Sequence, residues 1–146
     1  MIDIKLLEQL CLCNGISGDE GNVRNLIINE IKDCADDIKT DNLGNLIVFK
    51  KGKKSAKSKL MVSAHMDEVG LMVTDITSDG YLKFDEVGGI DRRVLPGKRV
   101  CVGRNGLNGV IGVKPIHLTN GDEKTAVPKM NDMYIDIGAE SREDAL

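Results

Sequence analysis

The stretch SAHMDEVGLMV, residues 63–73, decides the fold, because one texture of sequence ends in it and another begins. Just before it, Leu60 to Ala64 make an apolar run that reads as a buried parallel strand. His65 and Asp67 then fall at or just past the strand's carboxyl end, where open α/β sheets place their ligand sites. In an extended chain, residues i and i+2 point to the same side, so the imidazole and the carboxylate can converge. A neutral imidazole is a good ligand for zinc, cobalt or manganese. A carboxylate behind it fixes the ring's tautomer and orientation and raises its basicity. The same spacing suits a histidine that merely ends a core strand, and the triplet alone leaves both readings open.

Upstream, the pattern is helical and then strand-like. Ile4, Leu6, Leu7, Leu10 and Leu12 lie close to a helical stripe over residues 3–13. NGISGDEG interrupts it, and Ser17 followed by Glu20 has the spacing of a capping box. A helix is expected from there to Cys34, burying Val23, Leu26, Ile27, Ile31 and Cys34. Leu46 to Phe49 and Leu60 to Ala64 read as two buried strands. The run holding Lys50, Lys51, Lys53, Lys54 and Lys57 reads as the solvated hairpin loop between them.

Downstream of Asp67 the helical signals vanish. Short apolar runs alternate with turns, and most of the 16 glycines lie between residues 70 and 121. That texture predicts a small β-domain or barrel, with SDG and RNG as hairpin turns. The domain boundary falls near residues 68–72. At the end of the chain, MYIDIGAESREDAL predicts a strand, a glycine and a helix start marked by Ser141 and Asp144. One turn is far short of the roughly 12 residues a marginal isolated helix needs. A natural polypeptide continuing beyond Leu146 is therefore expected.

Composition narrows the class. With 146 residues, 41% hydrophobic, a real core is possible. A net charge of −3, no Trp and two residues each of Tyr and Phe argue against nucleic-acid or anionic-membrane partners. No apolar run approaches the roughly 18 residues of a membrane span, and MIDIKLLEQL lacks the form of a signal peptide. The expectation is a cytoplasmic protein. Cys11, Cys13, Cys34 and Cys101 have neither zinc-knuckle nor redox spacing and are expected as reduced thiols packed like small apolar residues.

In this context AHMDEVGLMV resembles the first metal-site motif of the family M42 metalloaminopeptidases. These are the glutamyl-aminopeptidase and tetrahedral-aminopeptidase group, some of them labelled endoglucanase or cellulase. GISGDEGNVR is similar to that family's N-terminal Ser-Gly-x-Glu segment, and TDNLGNLIV to its Asp-x-x-Gly-Asn strand entry. RVLPGKRV, GVIGVKPIHL and MYIDIGAESREDA resemble stretches of its inserted β-domain.

The resemblance implies an α/β fold. Residues 1–69 would be the N-terminal part of a mixed-sheet, zinc-peptidase-like catalytic domain. Residues 70–146 would be a small β-rich, PDZ-like inserted dimerisation domain. It also implies a two-metal aminopeptidase acting on peptide substrates, with two divalent ions, zinc or cobalt, per full-length subunit, and a homo-oligomer built from dimers. Carried over, His65 is a metal ligand and Asp67 the catalytic-site acid that orients it. The family's other ligands and its general-base glutamate follow the inserted domain, and no position here matches them. A catalytic zinc needs about three protein ligands, so the chain alone is expected to hold no metal tightly and to be inactive.

His117, in KPIHL, is expected to be structural or at an interface. Two other classes stand as alternatives. One is a non-catalytic assembly module. The other is a glycoside hydrolase using Asp85, Glu86 and Asp91 as paired acids, although solvated loop charge is the simpler reading of those three.

Overall fold

The computed structural model describes residues 3–54, 57–115 and 127–146. They divide into two compact units, Met1–Glu68 and Val69–Leu146.

In the first unit, helix α1 spans Ile4–Leu12. It starts where Asp3 Oδ1 accepts from the backbone N–H groups of Lys5 and Leu6, at 3.0 and 3.3 Å. Helix α2 spans Gly21–Ile31 and begins on Glu20 without a side-chain cap. The expected capping box does not form, because both of its members are engaged elsewhere. Ser17 Oγ donates to Asp67 Oδ2. Glu20 Oε1 accepts from Gly18 N–H at 2.7 Å. The helix also stops three residues short of Cys34, which is exposed; Val23 is buried, and Leu26, Ile27 and Ile31 are half-buried.

Strands β1, Asp37–Thr40, and β2, Leu46–Phe49, form an antiparallel hairpin from Asp37↔Phe49 to Thr40↔Leu46. Asp41 builds its loop: Oδ1 accepts from Leu43 N–H and Asn45 N–H, and Oδ2 from Asn45 Nδ2, each at 2.9 Å. Arg24 Nη1 donates to Gly44 O at 2.7 Å and ties the loop to α2.

This hairpin corrects the strand reading. β2 pairs with β1 rather than with Leu60–Ala64 across the lysine run. Residues 60–64 take no regular secondary structure, and Leu60, Met61 and Val62 are 92%, 87% and 87% exposed. A parallel strand is stable when neighbours bond to it and layers cover both its faces. Among the described residues none supplies such a ladder. Ile47, Val48 and Phe49 of β2 are exposed too, as befits a two-stranded ribbon with nothing stacked on it. The cysteines are free as expected, but Cys11, Cys34 and Cys101 are exposed and Cys13 is only half-buried, so they are not packed as core residues.

The second unit is one antiparallel sheet. Its strands are β3, Gly70–Ile76; β4, Leu82–Val87; β5, Arg99–Val102; β6, Leu107–Val113; and β7, Met133–Asp136. The spatial order is β3-β4-β7-β6-β5. Among the described residues β3 and β5 stand at the two edges of the sheet and do not pair with each other. Both expected turns form. Thr77–Gly80 links β3 to β4, and Gly103–Gly106 links β5 to β6. Gly80 is required in its turn: its φ is +83°, and an added Cβ would lie 2.7 Å from the Ala139 carbonyl oxygen.

Side chains that alternate along the strands build the core. Leu82 and Phe84 on β4, Ile111 on β6, and Met133 and Ile135 on β7 are buried together, with Leu95 and Met130 closing over them. The predicted helix start near the end of the chain appears as a single turn. Asp144 N–H donates to Ser141 Oγ at 3.2 Å, and Glu140 N–H donates to Asp144 Oδ2 at 3.1 Å. His117 lies outside the described residues.

Two of the three acids considered for sugar chemistry, Glu86 and Asp91, are paired with arginines. Arg92 Nη2 donates to Glu86 Oε1 at 2.6 Å. Asp91 accepts from Arg93 N–H at 3.0 Å and from the Arg93 guanidinium at 2.6–3.0 Å, opening a short 3-10 turn. Arg93 thereby holds the Asp91 carboxyl down from 3.8 to about 2. A carboxyl lowered on folding stabilises the fold above its unfolded pKa, and that contribution is lost as pH falls through the folded value. Thermal unfolding between pH 3.8 and about 2 should therefore drop more steeply for the native chain than for Asp91→Asn. Equal slopes would show that the pair contributes nothing to folding.

Candidate functional site

Residues 15–17 and 65–68 lie side by side in the first unit. Gly15 O accepts from Glu68 N–H at 2.8 Å, and Ile16 and Glu68 form an isolated parallel bridge. Gly15 must be glycine for this approach, because an added Cβ would stand 2.4 Å from Val23 Cγ2 of α2. The packing of α2 therefore sets where the 15–17 segment runs, and that segment reaches the His65–Asp67 pair.

His65 Nδ1 lies 3.0 Å from Asp67 O and 3.1 Å from Asp67 Oδ1. Both partners can only accept, so in the neutral ring Nδ1 carries the proton and Nε2 the lone pair. Nε2 makes no hydrogen bond among the described residues, and the His65 side chain is 86% exposed. The i, i+2 convergence expected from the sequence is present, although the chain here is not a strand.

Asp67 uses both carboxylate oxygens, Oδ1 toward His65 and Oδ2 toward the Ser17 hydroxyl. Its carboxyl is held below the ordinary range, chiefly by the Ser17 hydroxyl, with smaller help from its own backbone N–H and from His65 against a desolvation cost. Asp67 thus stays a carboxylate at neutral pH. Ser17 is the one residue of the cluster that sequence reasoning assigned elsewhere. The only signal for it was the resemblance of GISGDEGNVR, since a contact spanning 50 residues leaves no local pattern. The order Ser–Asp–His is also not that of a nucleophilic triad. There the imidazole lies between serine and acid to take the hydroxyl proton, whereas Ser17 donates its hydrogen bond to the carboxylate.

An open groove of about 510 Å³ runs along this pair, lined by Glu20, Asp41, Asn45 and residues 61–67. Asp41 is likewise held ionised, first by Asn45. A neutral imidazole with a solvent-facing Nε2 and a carboxylate on Nδ1 is the donor arrangement of a metal-binding histidine. It supplies one ligand. Among the described residues no group of three or more His, Cys, Asp or Glu could hold an ion.

Comparison with known proteins agrees along nearly the whole chain. The M42 glutamyl aminopeptidase family model matches residues 44–146. A lysyl aminopeptidase of Pyrococcus furiosus is 36% identical over 149 residues, covering 99% of this chain and 42% of that protein. The crystal structure of a TET aminopeptidase from a marine-sediment Thaumarchaeota archaeon superposes with a TM-score of 0.89 at 35% identity, covering 97% of this chain and 40% of that one. The TET1 peptidase of Pyrococcus horikoshii, described as assembling into a tetrahedron or a large octahedral shell, matches with a TM-score of 0.81 at 46% identity, covering 97% of this chain and 42% of its own. The chain spans about 40% of the length of the curated relatives it matches.

Proposed function

The chain belongs to the M42 glutamyl aminopeptidase family, and from that premise we propose that it carries one metal ligand of a two-metal aminopeptidase, His65, with Asp67 as the acid that orients it. The observation that carries this reading is the His65 ring, anchored through Nδ1 on Asp67 and open at Nε2. His65 would hold one zinc or cobalt ion in part, and such an ion would supply Lewis-acid activation of a carbonyl and of water.

The chain's own residues do the rest of what can be assigned to it. Asp67 holds the tautomer that leaves Nε2 free to bind. The acidic lining of the groove, Glu20, Asp41 and Asp67, favours the free ammonium of a peptide N-terminus. That preference accounts for removal of residues from the end of a peptide. One ligand is too few to hold a catalytic ion, so this reading requires further donors and a general base besides His65 and Asp67. The second unit, whose described strands have β3 and β5 at the sheet's edges, is the oligomerisation domain in this reading. The shells formed by the P. horikoshii relative support it.

The test is a hydrolysis assay on the natural gene product. It should release the first residue of unblocked peptides and spare N-acetylated ones. Activity should vanish on chelation and return with zinc or cobalt. Cleavage of β-glucan that is indifferent to chelator would overturn the reading in favour of a glycoside hydrolase.

A further inference from the structure

Ser17 has no role as a helix cap, yet its hydroxyl is committed to a carboxylate 50 residues away. Three features place it there: the close approach of Gly15 to Val23, the Gly15–Glu68 backbone hydrogen bond and the Ile16–Glu68 bridge. Asp67 is otherwise poorly restrained. Its side chain is 39% exposed, and a carboxylate rotates in a broad well about its last torsion. Left free, it would exchange its contact with His65 for water.

We propose that Ser17 is a positioning residue of the His65 site: by holding Asp67 Oδ2 it turns Oδ1 onto His65 Nδ1 and keeps the ring in the tautomer whose Nε2 is free to bind. The proposal deepens the metallopeptidase reading and takes its functional meaning from it. The Ser17 effect itself is a property of the metal-free ring and can be measured without metal or substrate. Asp67 O also accepts from Nδ1, so the backbone competes with the carboxylate for the same role. The proposal states that the carbonyl alone does not suffice.

The experiment is long-range 1H–15N correlation of the histidine rings in the whole 146-residue chain, with chelator present and at alkaline pH. The chain has two histidines, so His117→Gln identifies the His65 signals. The native chain should show His65 mainly protonated on Nδ1. Ser17→Ala should move the balance several-fold toward the Nε2-protonated form, and Ser17→Thr, which keeps the hydroxyl, should restore the native pattern. A ring unchanged in Ser17→Ala would overturn the proposal and leave Ser17 as a strap only. Ser17→Cys, near in size and a weak donor, gives the same reading should the alanine variant lose its fold. A purely structural role would not move the tautomer while the backbone amide spectrum stays native. If His65 proves not to bind metal, the metallopeptidase reading falls, while the tautomer shift still decides what Ser17 does.

Discussion

Replacing His65 with alanine in the natural gene product should remove bound metal and aminopeptidase activity together. The ring's Nδ1 is spent on Asp67 and its Nε2 faces solvent, so the side chain contributes no packing whose loss could explain such an effect. Losing an outer partner of a metal ligand costs roughly 10–100-fold in affinity or activity, and losing the ligand itself should exceed that. Asp67→Asn is the graded companion. It keeps the shape and loses the charge behind the ring, so its loss should fall within roughly 10–100-fold. Metal content by elemental analysis, beside turnover of an unblocked peptide, separates the outcomes. A His65→Ala protein with its full metal complement would make His65 a structural residue and end the two-metal reading.

Phe84→Ala should be the most damaging single change in the second unit. Phe84 is 5% exposed and packs with Leu82, Ile111, Met133 and Ile135 in the cluster that the sheet encloses. Truncating a buried phenylalanine costs about 3–5 kcal/mol, from lost transfer energy and the cavity left behind. Whole domains are stable by roughly 5–15 kcal/mol, so a large fraction of the unit's stability would go. Urea unfolding should show the midpoint falling accordingly. Met72→Ala, at a side chain 55% exposed on β3, should stay within about 0.5 kcal/mol of the native chain. Similar small shifts for both variants would mean that the face carrying Phe84 is not the core.

The β-rich unit was the most legible part of the sequence. Its strands alternate at period two and its turns carry glycine at the positions that need it, so local pattern and final structure agree at MYID, at SDG and at RNG. Of the small β-domain or barrel that the texture suggested, the described strands show an antiparallel sheet, and its closure is a non-local matter. Closure depends on whether β3 and β5 meet, and nothing within either strand encodes that. The first unit was less legible for a related reason. Ser17-x-x-Glu20 is a sound capping pattern, but each side chain found a different partner, Ser17 in Asp67 and Glu20 in Gly18 N–H. Leu60 to Ala64 have the composition of a buried strand, but burial is conferred by neighbours, and no described strand pairs with them. β1, with its sequence DIKT, carries too little apolar signal to be seen and is defined by its pairing with LIVF.

The sequence by itself determined the family, the hairpin turns at SDG and RNG, and the approach of His65 to Asp67. All three rest on local order: motif spacing, glycine at the turn positions, and the i, i+2 reach of two side chains. The tertiary structure decided what distance along the chain conceals. Val23 admits only glycine at residue 15, the backbone of Gly15 then meets Glu68, and Ser17 is carried to Asp67. Hydroxyl, carboxylate and imidazole become one connected group because α2 packs where it does, and packing is a property of the folded chain as a whole.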